Sequence, residues 1–181
     1  MKNKILLATT LIAIAALAAA CAHGNHPMAM AMLAPISGSH AQGMVHFEQM
    51  PDGTVEVSAD ITGLDPNSTH GFHIHDKGDC GDNGNAAGGH FNPTAMAHGA
   101  PDATSHHAGD LGNITADDKG EVHIHVTSHM LTVDPGANSV VGHAVIVHAN
   151  ADDLTTQPSG NAGPRIACGV VEAHSMAQMQ H

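Results

Sequence analysis

Two histidines stand two positions apart in the segment GFHIHDKGDC, residues 71–80. In a β-strand, residues i and i+2 point to the same face, so His73 and His75 can both reach one metal ion while the residue between them faces a core. The segment EVHIHVTS carries the same pattern at His123 and His125, where it fits a solvated strand face equally well. The pair alone therefore does not separate a metal site from a polar surface.

The stretch that follows His75 supplies more metal-ligand residue types. It runs from Lys77 to Asn113 without strand character, and a loop of that length is usually functional or disordered. Its many histidines, glycines and aspartates favour a loop that a bound ion orders. The candidate ligands are His90, His98, His106, His107 and Asp110, followed by His148 at the end of VVGHAVIVHA. Several imidazoles suit copper or zinc, and a carboxylate joined to histidines suits zinc.

The amino-acid composition also indicates metal binding, and the net charge argues against some classes of function. The 181 residues include 18 histidines but only three phenylalanines, no tyrosine and no tryptophan, and histidine is the commonest metal-ligand side chain. With 17 acidic against five basic residues the formal net charge is −12, which argues against nucleic acid as a partner. Such a chain repels small anions in general, so an anion site needs local positive charge. Arg165, the only arginine, is the candidate for it.

The first 21 residues, MKNKILLATTLIAIAALAAAC, predict a secretory signal peptide, because two lysines precede a short apolar run with a small-residue end. The run is too short and too one-sided for a good membrane span. Two kinds of processing remain open. Cys21 after LAAA resembles a lipoprotein site, and the three alanines also suit ordinary signal peptidase. We favour lipidation of Cys21, since otherwise an unpaired thiol would remain in an oxidising compartment.

Export also bears on the two other cysteines. If Cys21 is an anchor or is removed, Cys80 and Cys168 remain as one pair, and a disulfide between them is their simplest use. The alternative is two buried free thiols. Under the chain-entropy model, a bridge across this separation would stabilise the fold by roughly 4 to 5 kcal/mol.

The rest of the chain predicts an all-β domain. Six segments alternate or are β-branched, and turn residues separate several of them: GMVHFEQM, TVEVSADIT, THGFHIHD, EVHIHVTS, VVGHAVIVHA and RIACGVVEA. A second stretch without strand character covers Ala149 to Pro164. We therefore predict an antiparallel β-sandwich or flattened barrel. The predicted divisions are the signal peptide (1–21), a flexible N-terminal segment (22–35), one domain (36–173) and a His- and Met-containing tail (174–181).

Five segments, in order, resemble signature blocks of the copper/zinc superoxide dismutase family, in the form exported by bacteria: GFHIHDKGDC, GGHFNP, HAGDLGNI, GHAVIVHANADDL and GNAGPRIACGVV. They agree with the family in residue type and in spacing at once, and they cover most of residues 36–172. The resemblance implies a Greek-key β-sandwich with two long functional loops.

The resemblance also implies one copper and one zinc per subunit. The implied copper ligands are His73, His75, His90 and His148, and the implied zinc ligands are His90, His98, His107 and Asp110. His90 would be shared, because a fully deprotonated imidazole offers one nitrogen to each of two cations. His106 is the alternative to His107 and fits the zinc spacing less well. Asp152 would accept hydrogen bonds from one copper-ligand and one zinc-ligand imidazole.

The implied reaction is the dismutation of superoxide to dioxygen and hydrogen peroxide by a redox-cycling copper, with zinc in a structural role. His90 would carry the proton, since reduction of copper can free one of its ring nitrogens. Arg165 would guide the superoxide anion. Many family members carry lysines before this arginine, but Ala149 to Pro164 contains none. Electrostatic steering of superoxide is therefore either weaker here, or the loop is arranged so that the histidine partners of Asp152 neutralise its charge.

Two functions follow from these patterns. The leading hypothesis is an active dismutase that protects the cell envelope, located in the periplasm and attached to a membrane only if Cys21 is lipidated. The alternative is a copper- or zinc-binding protein on the same fold that buffers or delivers metal. Monomer and homodimer both remain open.

The His- and Met-containing termini are either disordered or capture copper, and His70 is predicted to hydrogen-bond the backbone. Six other histidines are predicted to be surface or structural: His40, His46, His123, His125, His129 and His143.

Overall fold

A computed structural model describes residues 26–174 of the chain. The predicted signal peptide, Cys21 and all of the C-terminal tail after His174 lie outside the described residues. Eight β-strands form the fold: β1 (Met28–Pro35), β2 (Gln42–Gln49), β3 (Val55–Thr62), β4 (Thr69–His75), β5 (Asp110–Thr115), β6 (Val122–Ser128), β7 (Ala144–His148) and β8 (Arg165–His174). A short 3₁₀ helix covers Asn85–Ala87. None of the helices within 26–174 is long and apolar enough to cross a membrane.

The strands pair antiparallel in the order β5-β4-β7-β8-β1-β2-β3-β6. This sheet curls into a nearly closed barrel, so the predicted all-β fold is confirmed. Alternation explains which side faces the core: on β3, Val55, Val57, Ala59 and Ile61 are buried while the residues between them are less buried. Phe72 and Ile74 of β4 pack in the same core. The residues that alternate with them, His73 and His75, therefore lie on the outer side of β4.

The prediction of a flexible segment over residues 22–35 is wrong for its described part from Met28 onward. Residues 28–35 form β1, which pairs with β2 on one side and β8 on the other. Ala29, Ala31 and Leu33 are buried in the core. The alternation was hard to recognise because alanine on the inner face and methionine on the outer face are both apolar. The domain therefore begins earlier than residue 36.

Two strand boundaries also differ from the prediction. The end of the first strandless stretch, residues 110–113, belongs to β5, which pairs with β4. Only Ala144–His148 of VVGHAVIVHA is strand, and all five residues are buried. The first long loop is thus residues 76–109, and the second long loop, residues 149–164, agrees with the prediction.

Backbone hydrogen bonds fold both long loops back onto the outer side of β4 and β7. In the first, Ile74 N donates to Gly109 O over 2.9 Å, and Phe91 N donates to Ile74 O over 2.8 Å. A Cβ atom on Gly109 would lie 2.2 Å from the Ile74 oxygen, so only glycine permits this approach. In the second, Asn150 O accepts a hydrogen bond from Gly71 N of β4 over 2.8 Å. The loops therefore cover the face of β4 that carries the two histidines.

A disulfide joins Cys80 to Cys168, with Cα atoms 5.8 Å apart. It links the first long loop to β8, across 88 positions of sequence. The same strand begins at Arg165, whose guanidinium donates to the carbonyl oxygens of Gly84 and Gly88 in that loop. The loop is thus held to β8 both covalently and by hydrogen bonds to Arg165.

Candidate metal centre

Four buried histidines form the first cluster: His73, His75, His90 and His148. β4 supplies the first two, β7 ends at His148, and the first long loop supplies His90. One ring nitrogen of each lies within 4.8 Å of the corresponding nitrogens of the others. The Nε2 atoms of His75 and His148 are 3.3 Å apart. An all-imidazole set of this kind suits copper or zinc.

Three histidines and one carboxylate form the second cluster: His90, His98, His107 and Asp110. Asp110 Oδ1 lies 2.7, 3.1 and 3.2 Å from the Nδ1 atoms of His90, His98 and His107. Tetrahedral zinc bonds of 2.0–2.1 Å imply donor atoms about 3.3 Å apart. The second cluster therefore has the donor types and nearly the spacing that zinc requires.

His90 belongs to both clusters through different atoms. Its Nδ1 lies 2.7 Å from Asp110 Oδ1 in the second cluster, while its Nε2 has no hydrogen-bond partner in the described structure. The ring centroid is 4.0 Å from that of His73 and 5.3 Å from that of His98. A single imidazole thus stands between the two ligand sets, as a bridging ligand must.

Four buried ring nitrogens in the described residues make no hydrogen bond: His73 Nδ1, His90 Nε2, His98 Nδ1 and His107 Nδ1. Asp110 Oδ1 lies within 3.2 Å of the last two, but these contacts do not have the alignment of a hydrogen bond. An unsatisfied buried polar atom costs roughly 1–3 kcal/mol. All four atoms belong to residues of the two clusters, so coordinated metal ions would satisfy them together. The residues present fit copper in the first cluster and zinc in the second.

Burial keeps the imidazoles of the first cluster in the form that binds metal. It lowers the pKa of His73 to about 4, although the hydrogen bond to Asp152 opposes the shift. Burial likewise lowers the pKa of His75 to about 2 and that of His148 to about 3, with the neighbouring histidines acting in the same direction. At neutral pH these rings are therefore uncharged and have a nitrogen lone pair to donate.

Asp110 is positioned as a charged ligand. Its Oδ2 accepts hydrogen bonds from the backbone N–H of His107 at 2.8 Å and of Gly99 at 3.2 Å, which leaves Oδ1 for the second cluster. Burial alone would raise the pKa of Asp110, but the hydrogen bonds from His90 and from the His107 backbone hold that pKa well below 3.8. The carboxylate therefore stays ionised.

Asp152, in the second long loop, contacts one histidine of each cluster through the ring nitrogen that faces away from the cluster. Its Oδ2 lies 2.7 Å from His73 Nε2 and its Oδ1 lies 3.0 Å from His98 Nε2. Both rings accordingly direct Nδ1 toward their cluster. A Cβ on Gly160 would lie 1.6 Å from Asp152 Oδ1, so only glycine leaves room for this carboxylate.

Sequence reasoning missed several groups that hold these rings. Asn113 Nδ2 donates to Asp152 O at 2.9 Å, and Asn113 Oδ1 accepts from Asp152 N at 2.7 Å. Gln157 makes two hydrogen bonds with the backbone of His98, each of 2.9 Å. Backbone oxygens do the same for the first cluster: Gly88 O lies 2.9 Å from His75 Nδ1, and Gly163 O lies 3.1 Å from His148 Nδ1. No local sequence pattern distinguishes these groups from ordinary loop residues.

A cleft of about 450 Å³ opens onto the clusters. Its floor includes His75, His90 and His148, and its rim includes Arg165. Arg165 is the only lysine or arginine among the described residues that line it. A small anion that enters the cleft therefore meets one fixed positive charge beside the first cluster.

The structure leaves the other histidines outside the clusters. His106 turns away, with Nδ1 2.8 Å from the backbone oxygen of His107. His70 Nδ1 lies 2.8 Å from His148 O, which is the predicted backbone hydrogen bond. His123 and His125 are exposed on β6 and pair with Asp60 and Glu56. The second His-x-His pattern is therefore a polar strand face.

Comparisons with known proteins agree with this geometry. The family model described as copper/zinc superoxide dismutase matches residues 41–171. Among solved structures, the chain is similar to one titled "Crystal Structure Analysis of the clock protein EA4". The identity is 36%, the match covers 83% of this chain and 97% of that one, and the TM-score is 0.74.

We expect His107→Ala to lower zinc binding strongly while His106→Ala leaves it unchanged, because only His107 directs a ring nitrogen at Asp110 Oδ1. Removal of one of four ligands should weaken zinc binding by roughly 10- to 100-fold or more. Competition with a chelator, followed by metal analysis, measures the affinity. Equal losses in the two neighbouring variants would contradict the assignment of His107.

Proposed function

We propose, because this chain belongs to the copper/zinc superoxide dismutase family, that its two histidine clusters hold the copper and the zinc of a superoxide dismutase. Family membership establishes the enzyme class and the two metals. Copper would be held by His73, His75, His90 and His148, and zinc by His90, His98, His107 and Asp110. The observation that carries this assignment is His90, whose two ring nitrogens face the two clusters.

When bound, copper supplies a one-electron redox couple that zinc lacks, which suits the oxidation of one superoxide and the reduction of another. Formation of hydrogen peroxide consumes protons, and the chain must deliver them at the cleft floor. His90 Nε2 is buried, belongs to a ring that lines the cleft and has no hydrogen-bond partner among the described residues. It is the atom at which the chain can hold and release a proton.

Arg165 supplies the anion recognition. Its guanidinium hydrogen-bonds Gly84 O and Gly88 O, so its charge is fixed at the cleft rather than free to move with a flexible side chain. The second long loop contains no lysine, and Asp153 within it is exposed and acidic. Attraction of superoxide therefore depends on Arg165 more than it would in a lysine-rich cleft.

We also propose that the enzyme is exported and protects the cell envelope, in the periplasm of a bacterium. The signal-like residues 1–21 and the Cys80–Cys168 disulfide support this location, because disulfides persist in oxidising compartments. Fractionation of cells that express the full chain should place it with the envelope. A Cys21→Ser variant should shift from the membrane to the soluble envelope fraction if Cys21 is lipidated. Recovery of the unaltered protein from the cytoplasm would contradict export.

His90→Ala should abolish most turnover, because one ring serves both clusters and the proton step. We expect the rate of superoxide decay per bound copper to fall by about 100-fold or more in pulse radiolysis. His125→Ala, on the exposed face of β6, is the matched control and should retain the full rate. An unchanged rate per copper in His90→Ala would contradict the proposal. In the parent protein, removal of zinc should change the copper spectrum. If His90→Ala still binds copper but no longer shows this change, the variant has lost the bridge and not the copper.

Arg165→Ala should lower the second-order rate of superoxide removal by about tenfold or more while copper stays bound, because Arg165 is the only basic side chain among the described residues that line the cleft. The dependence of that rate on ionic strength should also weaken. Arg165→Lys keeps the charge and should retain part of both effects. If Arg165→Ala shows the unaltered rate and salt dependence, Arg165 does not guide the substrate.

A further inference from the structure

The outer face of β1 carries methionines where polar residues are usual. Ala29, Ala31 and Leu33 are buried, so Met28, Met30 and Met32 lie on the opposite, outer face. Met32 is 69% exposed, and within residues 26–174 it is the only exposed large apolar residue. The valine, leucine, isoleucine and phenylalanine side chains of the described strands are buried or half-buried.

The neighbouring strand presents matching ligands. Val45 and Phe47 of β2 are buried, so Met44 and His46 lie on the same outer face as the β1 methionines. The strand register pairs Met30 with His46 and Met32 with Met44. We call these four residues the Met/His block, which consists of Met30, Met32, Met44 and His46.

The block has the dimensions of a metal site. Residues directly opposite across antiparallel strands have Cβ atoms about 4.5–5.5 Å apart, and same-face neighbours along a strand are about 7 Å apart. Methionine sulfur and imidazole nitrogen both extend beyond Cβ, so four donors have reach to one ion above the centre of the block. A surface groove of about 390 Å³ borders it and includes Met32, Met44 and Asp60.

One acidic residue flanks the block on each neighbouring strand. Asp60 of β3 is the strand partner of Met44, and Glu172 of β8 is the strand partner of Met30. The lysines and arginine of the described residues are elsewhere: Lys77 lies in the first long loop, Lys119 lies between β5 and β6, and Arg165 lies at the cleft. The local field therefore attracts a cation.

We propose that the Met/His block is a further metal site, one that binds a soft monovalent cation: Cu(I) in the cell, with Ag(I) as its redox-inert analogue. Three thioethers and one imidazole form a soft donor set that favours Cu(I) over Zn²⁺ or Mg²⁺. A purely hydrophobic covering of the sheet would not call for methionine rather than leucine or valine. The block lies on the outer face of β1 and β2, whereas the histidine clusters lie on the outer face of β4 and β7. The site is therefore independent of the dismutase centre.

The test is a silver(I) titration of the full chain loaded with copper and zinc, in chloride-free buffer. All samples carry Cys21→Ser so that no free thiol competes for silver. Calorimetry counts the sites, and ¹³C-methyl methionine spectra identify the residues. We expect the methyl resonances of Met30, Met32 and Met44 to shift together at the first equivalent, with those of Met50 and Met130 unchanged.

Leucine replaces methionine with little change of volume, so Met30→Leu/Met32→Leu/Met44→Leu should fold normally. In that triple variant we expect silver affinity to fall by roughly tenfold or more, with the superoxide rate unchanged. Met50→Leu/Met130→Leu is the matched control and should bind silver as the parent does. His46→Ala should weaken binding without abolishing it.

Unchanged silver affinity in the triple variant would overturn the proposal, as would first-equivalent shifts confined to Met176 and Met179. The same titration with Cu(I), held by a competing chelator under anaerobic conditions, should reproduce the order of affinities. Binding of silver but not Cu(I) would also overturn the assignment to copper.

Discussion

The centre depends on one buried imidazole that has to face two ligand sets at once. His90 directs Nδ1 toward Asp110 and leaves Nε2 for the first cluster. Because both ring nitrogens serve as ligands, the imidazole needs one defined orientation, and the surrounding structure has to hold it there. The bridge between the backbones of His75 and His90 and the hydrogen bond from Phe91 N to Ile74 O hold the ring in place.

The barrel supplies rigidity that the loops do not have themselves. β4 contributes Phe72 and Ile74 to the hydrophobic core and turns His73 and His75 to the outer side. The loops that cover this side contain few large apolar residues, so hydrophobic burial contributes little to their order. The loops are ordered instead by the disulfide, by the hydrogen bonds of Arg165 and by those of Asp152. Bound metal would order them further. Structure and chemistry thus share the same residues.

The outer face of the opposite half of the barrel follows a different rule. There the strands need no covering loop, and the exposed positions alternate with core residues. Acidic residues and histidine on β3 and β6 form cross-strand pairs such as His123 with Asp60. Methionines take the corresponding positions of β1, next to Met44 and His46. The strands β1, β2, β3 and β6 contain no lysine or arginine, so no basic side chain of these strands repels a cation from this face.

The amino-acid sequence by itself determined the ligand types, the family and six of the eight strands of residues 26–174, because residue type, spacing and alternation are local properties. It predicted the pairing of Cys80 with Cys168 but left two free thiols as an alternative, which only the structure removed. The His-x-His pattern alone did not separate the pair of β4 from that of β6, since both satisfy the same alternation, and the separation came from the neighbouring segments and the family resemblance. The tertiary structure supplies the physical reason for the difference, because loops cover His73 and His75 whereas His123 and His125 are exposed to solvent. It shows that His107, the favoured candidate, faces Asp110 while His106 does not, and it alone shows that Asn113 and Gln157 hold the ligands. The contacts of Asn113 and Gln157 join residues distant in sequence, and loop residues such as His106 and His107 have no periodicity from which the directions of their side chains follow. β1 was not predicted because both of its faces are apolar, and only its contacts with β2 and β8 show which face lies in the core.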